Sequence, residues 1–239
     1  MKWVVPKTLN IVATDLADTA NLTDGKISTQ VSKLESFYVK LDQGLVDTIS
    51  LLNIAGTSVQ IDLINKTSNE IEKTYNIDLR DDSFGDIWSY FYDEFIFKID
   101  FALNVILTYE MYIKITVNNP GSDAKLGLAI VGQASKNFYM LSDHTPNMLD
   151  YSQVTRNDST GDVTFNIGNY AKKLSLTMVI DNADFSRMVK RLYAIRGKEI
   201  LFIGDGGEHT IVYGFIRNFD GQYSFKNKEY IGLDIEGLI

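Results

Sequence analysis

The chain has no cysteine, which removes disulfides, thiolate nucleophiles and thiolate metal sites together and fits folding in a reducing compartment. Its stability must come from burial. Histidine is almost as scarce: His144 and His209 are the two in the chain, both in turn-rich polar segments. A Ser-His-Asp centre needs an imidazole between a hydroxyl and a carboxylate, and no serine here stands in a G-x-S-x-G context, so the expected reading is surface-loop histidines and no enzyme. Long hydrophobic runs are missing too. The opening stretch is broken by Pro6, and Phe95 to Phe101 is interrupted by Lys98 and Asp100, so neither a signal-peptide core nor a membrane span is expected. A soluble, unsecreted protein follows, and the sequons at Asn21, Asn65 and Asn157 are assigned no role. Positive charge is in deficit. The formal net charge is -8, with 12 Lys/Arg against 19 Asp/Glu over residues 1–148 and 11 against 12 over 149–239. Nucleic acid is therefore not an expected partner of either part, because phosphate recognition needs a basic surface.

What is present is strand material. With 239 residues, 45% of them apolar, the chain can fill one large β-domain or two smaller ones. Two are expected: a β-sandwich over residues 1–148 and a second over 149–239. Residues 10–32 mix Asn, Thr, Asp and Ser with weak periodicity and read as a long loop or an arm that orders on assembly. From Phe37 onward Val39 and Leu41 alternate. Thr48–Ile54 and Thr57–Ile64 read as neighbouring strands joined by a tight turn at Gly56, and Val59, Ile61 and Leu63 share one face. Ile71–Leu79 alternates weakly. Phe101–Leu107 and Tyr112–Val117 read as further strands, 118–121 as a turn, and Leu126–Gly132 as a buried closing strand.

Beyond Asp150, Val163–Ile167 and Leu174–Ile180 alternate after a turn at 157–162. The period then becomes helical, with Phe185, Met188, Val189 and Leu192 at i, i+3, i+4 and i+7. Asp181 or Asn182 is suited to cap the start, Asp184 lies in the first turn, Arg196 in the last, and Gly197 is suited to a left-handed close. Strands at 199–203, 210–218 and 224–239 complete the module, with 204–207 and Asp220-Gly221 as hairpin turns.

The acidic residues Asp81, Asp82, Asp86, Asp93 and Glu94 carry the carboxylates that sugar hydrolysis or calcium binding would use, but no D-x-D-x-D-G spacing is present, and no metal site or cofactor is expected. The glycine-rich 204–207 segment leads into a strand, where a phosphate loop would lead into a helix. One feature keeps two readings open. Residues 87–97 hold six aromatics, and read as a strand they put Trp88, Tyr90 and Tyr92 on one face. Those three residues suit a carbohydrate platform, whereas core packing or a subunit interface explains the same block without a ligand.

Leu51–Ile61, Ile113–Val117 and Lys125–Gly132 resemble the galactose-binding-like, discoidin-type jelly roll found in virion proteins of tailed bacteriophages. Asp150-Tyr-Ser152, Leu192–Gly197, Val212–Phe219 and Ile235–Leu238 resemble phage tail-tip structural proteins of distal-tail type. The resemblance spans about residue 45 to the end. It implies a mainly β protein of two sandwich domains, N-terminal jelly-roll-like and C-terminal with one packed α-helix. It also implies a virion tail component made in the host cytoplasm and built into a homo-oligomeric ring, by family analogy a hexamer. Such a ring docks to other phage tail proteins, inserts in no membrane, and leaves host glycan as an alternative ligand. It carries over no catalytic residue.

Overall fold

A computed structural model describes residues 1–80, 88, 96–105, 110–135, 139–140, 145–156, 161–204, 207–222 and 228–239. The chain is mainly β and divides into two units, Val4–Ala134 and Met1–Trp3 together with Ser135–Ile239. The boundary thus falls at 134/135, where 148/149 was expected, because the strands just after it pair with the C-terminal sheet.

The first unit contains most of β1 (Lys2–Pro6), then β2 (Ile11–Thr14), β3 (Val31–Leu41), β4 (Thr48–Ala55), β5 (Ser58–Asn65), β6 (Ile71–Asp78), β7 (Phe101–Asn104) and β8 (Met111–Ala134). The 24-residue β8 organises it. Its first half lies between β3 and β5, and its second half pairs with β4 and, at its end, with β1. Ile113, Ile115 and Val117 of β8 bury beside Val59, Ile61 and Leu63 of β5 and Phe37, Val39 and Leu41 of β3. The period-2 pattern therefore fills one side of the sheet. Ile49 and Leu51 of β4, with Leu126 and Val131 of β8, complete the same core, which is the interior of a β-sandwich.

Two reversals expected in this unit are not reversals. β4 and β5 do not pair with each other; both run antiparallel to β8, one after the other, as a single bent path. Gly56 is needed at the bend because a Cβ there would lie 2.9 Å from the Asn118 carbonyl oxygen. Residues 118–121 stay within β8, where β3 jumps from Leu34↔Asp123 to Glu35↔Asn119. Pro120, Gly121 (φ +79°) and Ser122 are thus the extra residues of a bulge, a position that tolerates both Pro and Gly. Glu35 opposite this bulge has φ +63°, so the alternation of β3 begins only after it. The segment 10–32 is not a free arm. Ile11–Thr14 pairs with β3, Leu22 on a 3₁₀ turn (Ala20–Leu22) is buried in the core, and Asp15 accepts from the Tyr38 amide at 2.8 Å and pairs with Lys33.

The second unit contains β9 (Tyr139–Met140), β10 (Thr145–Asp150), β11 (Gln153–Arg156), β12 (Val163–Asn166), β13 (Tyr170–Asp181), α1 (Asn182–Ile195), β14 (Ile200–Ile203), β15 (Ile211–Gln222) and β16 (Lys228–Gly237). The sheet runs β10-β13-β16-β15-β14, antiparallel throughout, and β9 continues the β10 edge along β13. Phe185, Met188, Leu192 and Ile195 of α1 bury against Leu176, Met178, Ile180 and Ile231 of the sheet, and Met1 and Trp3 join that core. The helix starts as its sequence predicts, with Asp181 as the N-cap residue and Asp184 in the first turn; at its end Gly197 takes φ +67° as expected, but Arg196, expected in the last turn, is the C-cap residue in extended backbone. Asp220-Gly221 is not a hairpin turn; β15 continues through it, with Asp220↔Gly232 and Gly221↔Ile231 in register. Gly221 is there because the Phe185 ring lies 3.2 Å from where its Cβ would be.

Candidate functional site

The second unit leaves one element without a core. β11 and β12 form a two-stranded antiparallel hairpin of their own, with Val154↔Phe165 and Arg156↔Val163 in register. Alternation puts Val154, Arg156, Val163 and Phe165 on one face and Gln153, Thr155, Thr164 and Asn166 on the other. The hairpin is therefore amphipathic, yet every residue of both strands is exposed, Phe165 at 70% and Val154 at 61%. Ile167 follows at 93%, and Met148, Tyr151 and Tyr170 near the hairpin base are also exposed.

The base is fixed while the apolar face stays open. Ser152 donates its amide to Asp150 Oδ1 at 2.8 Å and accepts through its hydroxyl oxygen from the Gly168 amide at 3.0 Å, and the Tyr151 amide donates to the Asn169 carbonyl at 3.1 Å. The hydrogen bonds from Ser152 hold the Asp150 carboxyl below the usual carboxylate range. Gly168 admits this approach because a Cβ would meet the Tyr151 carbonyl oxygen at 2.5 Å. Beside it β10 is the edge of the sheet, paired with β13 on one side. Covering Val154, Val163 and Phe165 would contribute roughly 1.5–3 kcal/mol each, and an isolated two-stranded hairpin is marginal in water without such cover.

Of the residues singled out from sequence, Trp88 is described: it is 67% exposed and in helical backbone, not in the expected strand. Aromatic density alone fixes no period, so it does not separate strand from helix at this position. Tyr90 and Tyr92 lie outside the described residues, as do Asp81, Asp82, Asp86, Asp93, Glu94 and His144. His209 is exposed on a 3₁₀ turn (Gly207–Thr210). Among the described residues no group of three His, Asp or Glu side chains is placed to hold a metal ion, and no helix is long and apolar enough to cross a membrane. The hairpin was missed as a site, although the alternation of Val163 to Ile167 after the polar turn was its signal.

No family model matches the chain, and no curated protein does. Among solved structures, the lectin domain of lectinolysin complexed with Lewis b antigen is similar at 12% identity and a TM-score of 0.35, covering 52% of this chain and 93% of that one. A histidine mutant of the same lectin-binding domain, also complexed with Lewis b, is similar at 13% identity and a TM-score of 0.34, covering 52% of this chain and 92% of that one. At those TM-scores the likeness carries no argument.

Proposed function

We propose that this chain is a non-enzymatic structural component of a bacteriophage virion tail, a tail-tip or baseplate ring or adaptor that works by self-assembly and by docking to neighbouring tail proteins. The observation that carries the reading is the amphipathic β11–β12 hairpin, held at its base and uncovered on its apolar face beside an open sheet edge. An exposed edge and an exposed apolar hairpin are liabilities for a lone subunit, and repetition of the same contact around a closed ring removes them. The resemblance of the segments around Asp150, Leu192, Val212 and Ile235 to distal-tail proteins supports the same reading. Immunogold labelling of intact phage particles with an antibody against this chain tests it: the account expects label at the end of the tail, and label confined to unassembled protein in the lysate contradicts it.

A second reading, recognition of host surface sugar by the aromatic block, is favoured by the exposure of Trp88. It requires glycan-array binding that disappears in Trp88→Ala with folding unchanged.

A further inference from the structure

The outer face of the first unit's sheet carries a polar cluster that neither the core nor the hairpin uses. Tyr38 and Lys40 of β3 and Tyr112 and Lys114 of β8 point away from the buried side, and Lys40 stands directly opposite Lys114 in the strand register. Like charges directly opposite on paired strands are destabilising, and this unit is acidic, with 10 Lys/Arg against 18 Asp/Glu over Val4–Ala134. The two ammonium groups are held along the diagonals, Lys40 Nζ 4.2 Å from the Tyr112 ring centre and Lys114 Nζ 5.0 Å from that of Tyr38. Among the described residues neither ammonium is ion-paired, and neither phenol hydroxyl makes a hydrogen bond. Two carboxylates border the cluster: Asp62, opposite Lys114 on β5, is buried and accepts from the neutral donors Gln60 Nε2 at 2.9 Å and Thr74 Oγ1 at 2.7 Å, and Asp42 pairs with Lys66, whose ammonium lies 5.2 Å from the Tyr112 ring centre. One step along the sheet, Gln60 and Thr116 stand opposite each other in the strand register, on the same face.

We propose that this face binds an acidic sugar, with the Lys40 and Lys114 ammonium groups taking its carboxylate and the Tyr38, Tyr112, Thr116 and Gln60 polar atoms taking its hydroxyls. Charge complementarity names the anion, since the Lys40, Lys66 and Lys114 ammonium groups outnumber the Asp42 and Asp62 carboxylates beside them in an otherwise acidic unit. The mixture of hydroxyl and amide groups beside them names a polyhydroxylated ligand rather than a bare ion. Nucleic acid is disfavoured: its bases need open aromatic faces, which the lysines occupy here, and its dense phosphates meet a unit of net negative charge. The inference is independent of the assembly reading and uses a different surface.

The test titrates the whole protein with two probes, a hyaluronan tetrasaccharide and a tetragalacturonate, each beside its carboxyl-reduced counterpart. Binding is read by calorimetry and by amide shifts at β3 and β8. The expected result is binding of at least one acidic probe, weakened by salt and lost on carboxyl reduction. Lys40→Met and Lys114→Met, which keep the stem over the ring, should each weaken it about tenfold or more, the size of one charge-assisted hydrogen bond. Tyr38→Phe with Tyr112→Phe, which removes two hydroxyls and no ring, should also weaken binding with the melting temperature unchanged, and unchanged affinity in that variant overturns the assignment of the phenols to the sugar hydroxyls. Absence of millimolar binding to both acidic probes overturns the proposal, as does equal binding of the reduced sugars, indifference to the lysine substitutions, or tighter binding of single-stranded DNA or polyglycerol phosphate.

Discussion

Gly214 of β15 stands opposite Gly237 of β16, and a Cβ built on Gly214 would lie 2.0 Å from the Glu236 carbonyl oxygen. That atom is backbone in a paired strand and cannot swing aside, so Gly214→Ala should cost about 3 kcal/mol or more in a urea melt, in the range of severe overpacking. Two residues of this stretch of β15 thus differ in kind, since its neighbour Tyr213 contributes through a polar head. Tyr213 is buried and its hydroxyl donates to Glu199 Oε2 at 2.7 Å. Burial first, then the Glu199 hydrogen bond and charge, push the phenol far above its ordinary value of 10.0. A folded state that holds its proton more tightly than the unfolded chain is stabilised fully below the unfolded pKa and loses that stability as pH rises through and beyond it. Stability should therefore fall as pH climbs above about 10, the ordinary tyrosine value, and Tyr213→Phe should fall less steeply. At pH 8 the same variant should be about 1 kcal/mol less stable than the parent, the net worth of one hydrogen bond. Equal pH slopes in parent and variant would contradict the assignment.

Elements differ in how plainly the chain announces them. α1 was legible because its buried residues recur at the helical period and its ends carry Asp181 and Gly197. Leu192, fully buried against the sheet, should cost about 2–5 kcal/mol when cut to alanine. Asp181, by contrast, caps in backbone geometry but makes no side-chain cap hydrogen bond and pairs instead with Lys228 on an exposed surface. Asp181→Ala should accordingly cost less than about 1 kcal/mol, the scale of an exposed ion pair. A loss as large as that of Leu192→Ala would mean that the helix start is held by the side chain after all. Glycine was where strand reading failed. Gly56, Gly121 and Gly221 each looked like a reversal, yet they serve a close approach to Asn118, a bulge and a close approach to Phe185. Glycine records the absence of a Cβ, and only the partner strand decides whether that absence is used to turn the chain or to admit a neighbour. The hairpin shows the same limit from the other side. Its alternation is visible in Val163 to Ile167, but exposure depends on what is packed against a strand, which no local pattern records.

At the scale of the molecule the two units differ in charge and in what they leave open. The first is net acidic with a closed sandwich core and a cationic patch on its outer face; the second is balanced in charge and offers the uncovered hairpin. The account of this protein as an assembly component rests on that hairpin being covered by another subunit. Mass photometry of the purified full-length chain beside its Val154→Asp/Phe165→Asp variant measures this directly, because both residues are exposed and their replacement leaves either core intact. The account predicts a discrete closed oligomer for the parent and a folded monomer for the variant. A parent that remains strictly monomeric at micromolar concentration, or a variant that assembles as the parent does, would contradict it.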